Sequence, residues 1–226
     1  MHPTIPITTP SSIAPGQATW ADYLTTRDRC TEAERSRVFF DGQRLWVEEM
    51  SGEGIEHAGF CDLFTMMLFV WFSQQAGQPF ASLGRCLIEQ PSLQAAAPDL
   101  VLYVGEDYPR WQPGDKRRIE LDQMRVPDLV GEIADTTLAS DLDQKKQLYA
   151  AMAIPEYWVI DVQARQIFMF LLQDNQSYQP VEQSQVLKGL PKSLIEQALT
   201  RTALESNGAV AMWFAQQIQG DRVMEK

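Results

Sequence analysis

The sequence contains few of the residues on which many metal centres and nucleophilic sites depend. Its two histidines, His2 and His57, give little support to a histidine-based metal site or to a Ser-His-Asp triad. Its three cysteines are odd in number and widely spaced, which argues against a disulfide framework and against zinc. This cysteine usage fits a reducing environment, and we therefore expect a cytoplasmic protein.

The sequence also lacks a long apolar run and a surplus of positive charge. Its longest apolar run, residues 63–72, is far short of the ~20 residues of a membrane-spanning helix. The N-terminus has no basic start followed by an apolar segment, so we expect neither a membrane partner nor a secretory signal. The net charge of -11 counts against broad, non-specific nucleic-acid binding, but it is compatible with a local basic cleft.

The remaining composition is sufficient for a folded domain. With 45% hydrophobic and 22% charged residues, the chain can build a core. Residues 1–18 are rich in Pro, Ser and Thr and predict a flexible tail, and residues 19–226 are expected to form one domain. Asp41-Gly42 between two short apolar segments predicts a β-hairpin. Apolar residues at helical spacing in residues 60–71 predict a buried helix.

The centre of the chain predicts a strand, a helix and a second strand. These are residues 126–134, 141–152 and 157–162. A further strand begins after Pro98, others follow residue 166, and two helices are expected near the C-terminus. We therefore predict an α/β fold in which a mixed β-sheet is flanked by helices, with an N-terminal β-hairpin and C-terminal helices.

Glu132 lies inside the first apolar run of this central unit, where a carboxylate is costly unless it has a partner. Asp128 lies on the same face of the strand but too far along it to share an ion directly. Asp99, at the start of a neighbouring strand, is the natural candidate. An Asp/Glu pair favours a hard cation such as Mg²⁺, which can activate water and stabilise charge on a phosphate.

Lys145 lies on the apolar stripe of the central helix. Leu142, Lys145, Tyr149 and Met152 share one face at helical spacing, so the lysine points toward the sheet. A lysine in that position requires a carboxylate, and Glu132 is a plausible one. The lysine can then orient the attacking water or offset phosphate charge.

Each of these features also has a plain structural explanation. A buried Glu-Lys pair can serve stability alone, and Pro-Asp at the start of a strand is often only a turn or cap. His57 is more typical of a helix cap or a surface residue than of a ligand. Lys116, Arg117 and Arg118 lie in a long polar segment, residues 106–125, and either contact phosphate or form a solvated loop.

Several motifs together resemble those of the Uma2 family of predicted endonucleases. They are Pro98-Asp99, Glu132, Lys145 with Tyr149, and the segment Pro-Glu-Tyr-Trp-Val-Ile-Asp of residues 155–161. The family, also catalogued as DUF820, belongs to the PD-(D/E)XK, restriction-endonuclease-like superfamily. The resemblance extends from about residue 20 to at least residue 190.

The resemblance implies a Mg²⁺-dependent endonuclease, with Mn²⁺ as an alternative ion, DNA as substrate and a homodimer as the assembly. Asp99 matches the aspartate of the family's Pro-Asp motif, and Glu132 matches its second acidic residue; together they would bind the metal. Ala134 occupies the place of the superfamily's usual lysine, and Lys145 matches the lysine that this family supplies from the following helix. Asp141 also matches a frequent family residue and can pair with Lys145.

Three departures from the family pattern favour weaker or lost activity. Phe40 replaces a glutamate that often precedes the Asp-Gly hairpin, which would remove an acidic group near the metal. The segment of residues 135–137 and Gly131 are also atypical. The competing hypotheses are a nucleic-acid-binding or regulatory module that retains the fold without activity, and an interaction protein that uses its acidic surface.

Overall fold

The computed structural model describes residues 17–33, 36–49, 54–75 and 77–224. The tail predicted for residues 1–18 therefore lies almost entirely outside the described residues. The described chain contains both helices and strands. They are α1 (Trp20–Ala33), β1 (Ser36–Phe40), β2 (Leu45–Glu49), α2 (Ile55–Ser73), β3 (Phe80–Ser82), β4 (Ile88–Gln90), β5 (Gln94–Ala96), β6 (Leu100–Val104), β7 (Ile119–Glu120), β8 (Leu129–Ala134), α3 (Leu138–Ser140), a π-helical turn (Asp141–Lys145), α4 (Lys146–Ala151), β9 (Glu156–Asp161), β10 (Gln166–Leu172), β11 (Tyr178–Pro180), α5 (Lys192–Arg201) and α6 (Asn207–Met224).

The strands of the described chain form two mixed sheets. The larger sheet has the order β11-β10-β9-β8-β6-β3, and its β8 and β9 run parallel. The smaller sheet has the order β2-β1-β5-β4-β7, and its β4 and β7 run parallel. The predicted α/β architecture, N-terminal hairpin and C-terminal helices are confirmed. The prediction of one sheet is incomplete, because the hairpin continues into a second sheet and β7 lies in a segment predicted as loop.

The larger sheet is covered on both faces, which explains why its strands are apolar on both sides. Helices α2, α5 and α6 pack against one face. The smaller sheet and α4 pack against the other. Side chains alternate along β8, so Leu129 and Ile133 face the helices, whereas Val130, Glu132 and Ala134 face the smaller sheet.

Helix α2 is long and apolar enough to cross a membrane by length and composition, and it is the one helix in the described part of the chain that passes this test. Sequence reasoning considered only the continuous apolar run and did not expect this. The helix contributes to the core with Phe60, Leu63, Phe64 and other buried side chains, and it contacts α6 and β8. Packing in the core is a sufficient reason for its apolar composition.

The predicted strand–helix–strand unit is present as β8, a helical segment and β9, but the helix is irregular. A short α-helical turn is followed by a π-helical turn over Asp141–Lys145, and regular α-helix resumes only at Lys146. A π-helical turn widens the spacing of backbone hydrogen bonds and is frequently found at functional sites. Here both ends of that turn, Asp141 and Lys145, carry buried charged side chains.

Candidate active site

Asp99 and Glu132 lie side by side on the face of the larger sheet that meets the smaller sheet. β6 and β8 are antiparallel with Leu100 opposite Gly131, so the same register places Asp99 opposite Glu132. The backbone N–H of Ile133 donates to Asp99 Oδ2 at 2.8 Å. Both carboxylates are almost fully buried, with relative exposures of 3% and 1%.

Lys145 joins this pair from the π-helical turn. Its Nζ lies 3.3 Å from Glu132 Oε2 and 2.9 Å from Asp141 Oδ1. A third carboxylate, on Glu48 of β2, lies 2.9 Å from the same nitrogen. The structure therefore brings all three predicted site residues into one buried cluster, and Lys145 points inward as the helical spacing predicted.

Lys145 remains charged in this environment. Burial alone would lower the pKa of its ammonium, but the carboxylates of Glu132, Glu48 and Asp141 outweigh burial and raise the pKa above its ordinary value. The ammonium also lies 4.6 Å from the centre of the Phe39 ring. Lys145 can orient groups and stabilise negative charge, but it cannot serve as a general base near neutral pH.

Glu132 experiences the opposite balance. Burial raises the pKa of its carboxyl group to about 8, even though the nearby charge of Lys145 acts to lower it. Neighbouring Asp141, Asp99 and Glu48 reinforce the increase because like charges repel. The hydroxyl of Tyr149 donates to Glu132 Oε1. Burial, more than the balance of nearby charges, therefore favours the neutral form of Glu132 near pH 7.

Arg37 is the principal site residue that sequence reasoning missed. It lies on β1, and its guanidinium donates to Asp99 Oδ1 and approaches Glu132 Oε2 to 3.9 Å. A signal was present: an arginine in the apolar strand Ser36–Phe40 poses the same burial problem that drew attention to Glu132. The partner could not be read from the sequence, because 62 residues separate Arg37 from Asp99.

His57 is not the helix cap or surface residue that we expected. Its side chain is only 14% exposed, and its Nε2 lies 3.4 Å from Asp99 Oδ1. The hydrogen bond with Asp99 raises the pKa of His57 to about 10, so the imidazole is protonated at neutral pH. Burial alone would raise the pKa of Asp99, but His57 and Arg37 outweigh it and hold that pKa well below its ordinary range.

His57, Cys61 and Asp99 also form a group of possible metal ligands. Their ligand atoms all lie within 4.8 Å of one another. However, Asp99 faces Nε2 of the ring whereas Cys61 Sγ lies 3.8 Å from Nδ1, so the two partners approach opposite nitrogens. This arrangement suits a hydrogen-bonded imidazolium better than a chelated ion.

Phe40 does not affect the cluster, and the expected loss of an acidic group near the metal is therefore wrong. Arg37 and Phe39 occupy one face of β1, whereas Phe40 occupies the other and packs with Tyr23 and Leu45. A glutamate at position 40 would point away from Asp99. The additional carboxylate comes instead from Glu48, directly opposite Arg37 in the hairpin.

The donor set fits a hard divalent cation. Asp99 and Glu132 offer carboxylate oxygens on adjacent strands, which is the ligand chemistry that Mg²⁺ prefers. Because burial raises the pKa of Glu132 to about 8, a cation bound there would displace a proton. The described cluster contains four carboxyl groups and three basic groups. These are Glu48, Asp99, Glu132 and Asp141, with Arg37, His57 and Lys145.

The predicted nucleic-acid contact, Lys116 to Arg118, lies around the start of β7 in the smaller sheet. Lys116 Nζ pairs with Glu120 Oε1 at 2.6 Å, and Arg118 Nε pairs with Glu89 Oε2 at 2.8 Å. The guanidinium of Arg117 lies 5.7 Å from the centre of the Trp111 ring. These three residues line a cavity of about 420 Å³ rather than the cluster around Glu132.

Gly84 packs so closely against the backbone of Asp99 that its replacement by alanine should disturb the site. A Cβ at position 84 would lie 2.6 Å from the Asp99 carbonyl oxygen, a backbone atom that cannot rotate away. We expect Gly84→Ala to lower the free energy of unfolding by roughly 1–3 kcal/mol, the usual cost of overpacking. Urea denaturation measures this change.

Gly59→Ala is the matched control for that measurement. A Cβ on Gly59, within α2, would meet nothing within 4 Å. Because alanine is the better helix former, this variant should gain about 0.5–1 kcal/mol. Equal stability of the two variants would contradict the close contact between Gly84 and Asp99.

Comparisons with known proteins agree with this architecture. The Uma2 family model, described as "Putative restriction endonuclease", matches residues 20–204. A crystal structure of "a putative nuclease belonging to DUF820" from Anabaena variabilis ATCC 29413 is similar, with a TM-score of 0.53 and 14% identity over 87% of this chain and 99% of that chain. At this identity the likeness shows the fold alone, and it confirms the predicted mixed α/β fold. A comparison with curated proteins finds no match. Since the family model spans most of the sequence, the chain belongs to the Uma2 family.

Proposed function

We propose that this protein is a Mg²⁺-dependent endonuclease that hydrolyses phosphodiester bonds of DNA, with Mn²⁺ as an alternative ion. Membership of the Uma2 family supports a nuclease role. The observation that carries the proposal is the convergence of Asp99, Glu132 and Lys145 in one cluster. They come from the residue before β6, from β8 and from the π-helical turn between β8 and β9. Asp99 and Glu132 would hold the cation, and Lys145 would act beside it.

The chain's own residues have distinct tasks in this scheme. When bound, the cation would lower the pKa of a coordinated water and offset charge on the phosphate. Lys145 would place a permanent positive charge next to Glu132, where it can orient the water and stabilise the developing negative charge. Asp141 and Glu48 hold the ammonium in position, each at 2.9 Å. Tyr149 fixes the orientation of the Glu132 carboxylate through its hydroxyl.

Metal-dependent cleavage is the direct test of this proposal. We expect the purified protein to cleave supercoiled plasmid or single-stranded DNA in the presence of Mg²⁺ or Mn²⁺ and to stop when a chelator is added. Gel electrophoresis of the products measures the rate, and a matched RNA substrate establishes the preferred nucleic acid. No cleavage of any of these substrates with either ion would count against an enzymatic role.

A second candidate is a nucleic-acid-binding or regulatory module that retains the fold without activity. The observation that favours it is the engagement of both carboxylates by Arg37, which satisfies them without a metal ion. Such a module would bind nucleic acid in excess chelator and leave it intact. The cleavage and binding assays together distinguish the two candidates.

The assembly state, the phosphate contact and the cellular location stay predictions. The resemblance to the family implies a homodimer, which sedimentation equilibrium would measure. Lys116, Arg117 and Arg118 stay the predicted phosphate contact, although Lys116 and Arg118 already pair with carboxylates of this chain. A cytoplasmic location stays a prediction from cysteine usage.

A further inference from the structure

We infer that the guanidinium of Arg37 and the divalent cation compete for the same pair of carboxylate oxygens, so that Arg37 sets the metal affinity of the site. This inference rests on the proposed function, because it assigns Asp99 and Glu132 as the metal ligands. Arg37, which lies outside the predicted set of Asp99, Glu132 and Lys145, would then control when the two carboxylates are free to bind a cation.

The contacts of Arg37 identify the oxygens. One terminal nitrogen, Nη2, pairs with Asp99 Oδ1, and the other, Nη1, lies 3.9 Å from Glu132 Oε2. The opposite oxygens of these carboxylates are held by other groups: Ile133 N–H donates to Asp99 Oδ2, and the Tyr149 hydroxyl donates to Glu132 Oε1. His57 Nε2 also lies 3.4 Å from Asp99 Oδ1, and Lys145 Nζ lies 3.3 Å from Glu132 Oε2, so each of them contacts one oxygen of the pair. The guanidinium of Arg37 approaches both oxygens and so spans the two strands where a bridging cation would bind.

A guanidinium and a divalent cation cannot both occupy this position. Mg²⁺ requires oxygen ligands at about 2.0–2.1 Å, so a cation held by Asp99 Oδ1 and Glu132 Oε2 would take the place of the Arg37 guanidinium beside those oxygens. The two positive charges would also repel each other in a buried environment where water screens them weakly. Cation binding thus requires Arg37 to withdraw from at least one of the carboxylates.

The hairpin offers the displaced guanidinium another partner. Arg37 lies directly opposite Glu48 on β2. The Glu48 side chain is 18% exposed, so it lies nearer to solvent than Asp99 or Glu132. A rotation of the Arg37 side chain toward Glu48 would keep its charge paired while releasing the metal ligands.

The test is a measurement of Mn²⁺ affinity without nucleic acid. Isothermal titration calorimetry and the electron paramagnetic resonance signal of free Mn²⁺ would compare wild type, Arg37→Gln and Arg37→Lys. We expect Arg37→Gln to bind Mn²⁺ at least about 10-fold more tightly, because competition is removed, a change of ~1.4 kcal/mol. Mn²⁺ should also raise the Tm of Arg37→Gln by more than it raises that of wild type.

Two variants separate competition from a general change in charge. Arg37→Lys keeps the positive charge but replaces the fork by a single ammonium that cannot bridge both carboxylates, so its affinity should rise above that of wild type. Arg44→Gln removes an arginine from the same hairpin, 57% exposed and paired with Asp41, and should bind Mn²⁺ as wild type does. If Arg37→Gln binds Mn²⁺ more tightly than wild type but Arg37→Lys does not, the loss of positive charge alone explains the higher affinity. That result would refute competition between the guanidinium and the cation for the same oxygens.

Mn²⁺ binding by the Glu132→Gln variant tests the proposed function separately from the role of Arg37. If wild type binds Mn²⁺ and Glu132→Gln abolishes that binding, the metal site stands, and an unchanged or weaker affinity in Arg37→Gln overturns the role of Arg37 alone. If neither wild type nor the Arg37 variants bind Mn²⁺ in a manner sensitive to Glu132→Gln, both proposals fail. The Arg37→Lys variant keeps the test decisive if Arg37→Gln does not fold.

Discussion

Replacing Lys145 with methionine should lower the free energy of unfolding by about 3–5 kcal/mol, the usual cost of removing one partner from a buried ionic cluster. Lys145 is 1% exposed, and its ammonium is the shared cation of Glu48, Glu132 and Asp141. Methionine fills similar volume, so the loss arises from uncompensated carboxylates rather than from a cavity. Urea denaturation followed by circular dichroism measures it.

Lys146→Met provides the control for this prediction, because it removes the same charge one residue further along. Lys146 is partly exposed, and its ammonium lies 3.8 Å from the centre of the Phe170 ring. Losing this cation–π contact should cost no more than about 0.5–1 kcal/mol. If the two variants were equally stable, the buried cluster would contribute nothing specific to the fold, and Lys145 would have to be explained by catalysis alone.

Glu132→Gln should reduce the rate of metal-dependent DNA cleavage by at least about 100–1000-fold while the protein stays folded. The amide keeps the size of the side chain and an oxygen that can accept from the Tyr149 hydroxyl, but it removes the charge that would hold the cation. Burial raises the pKa of the Glu132 carboxyl group, and a neutral amide carries no cost of burying a charge, so the variant should stay folded. Initial rates at several Mg²⁺ concentrations measure the effect.

Asp128→Asn is the matched control for Glu132→Gln. Asp128 immediately precedes β8, on the same face of the strand, but it pairs with Arg125 at 2.9 Å outside the cluster. Its neutralisation should leave the cleavage rate within about twofold of wild type, since its charge lies too far from the reacting phosphate to matter when screened by solvent. A large loss in Asp128→Asn, or none in Glu132→Gln, would show that the acidic residue of the site has been misassigned.

The sequence predicted correctly those features that depend on a single helix, strand or hairpin. The alternation of a strand and the 3.6-residue repeat of a helix are local properties, and they place Glu132 and Lys145 on inward faces whatever the rest of the chain does. The hairpin at Asp41-Gly42 is local in the same sense, because its turn and register depend on adjacent residues. Lys145 could be grouped with Glu132 because a helix between two parallel strands packs back onto their sheet, and Asp99 was added because it lies at the start of another strand.

The same reasoning failed where partners come from distant segments. Glu48 reaches Lys145 across 97 positions, and Arg37 reaches Asp99 across 62. His57 was set aside because a histidine at the start of a helix is more typical of a cap or a surface residue than of a ligand. Only the packing of α2 against the larger sheet brings its ring to Asp99. The π-helical turn at Asp141–Lys145 has no sequence signal that distinguishes it from a regular helix.

The amino-acid sequence by itself determined that Glu132 and Lys145 lie on buried faces and require charged partners, because burial of a charge is costly in any fold. Only the tertiary structure decided who those partners are. Two sheets packed face to face place Arg37 and Glu48 of β1 and β2 over Asp99 and Glu132 of the larger sheet. The physical reason is that periodicity acts within an element, whereas the pairing of charges depends on strand register and sheet packing, which involve residues far apart in the chain.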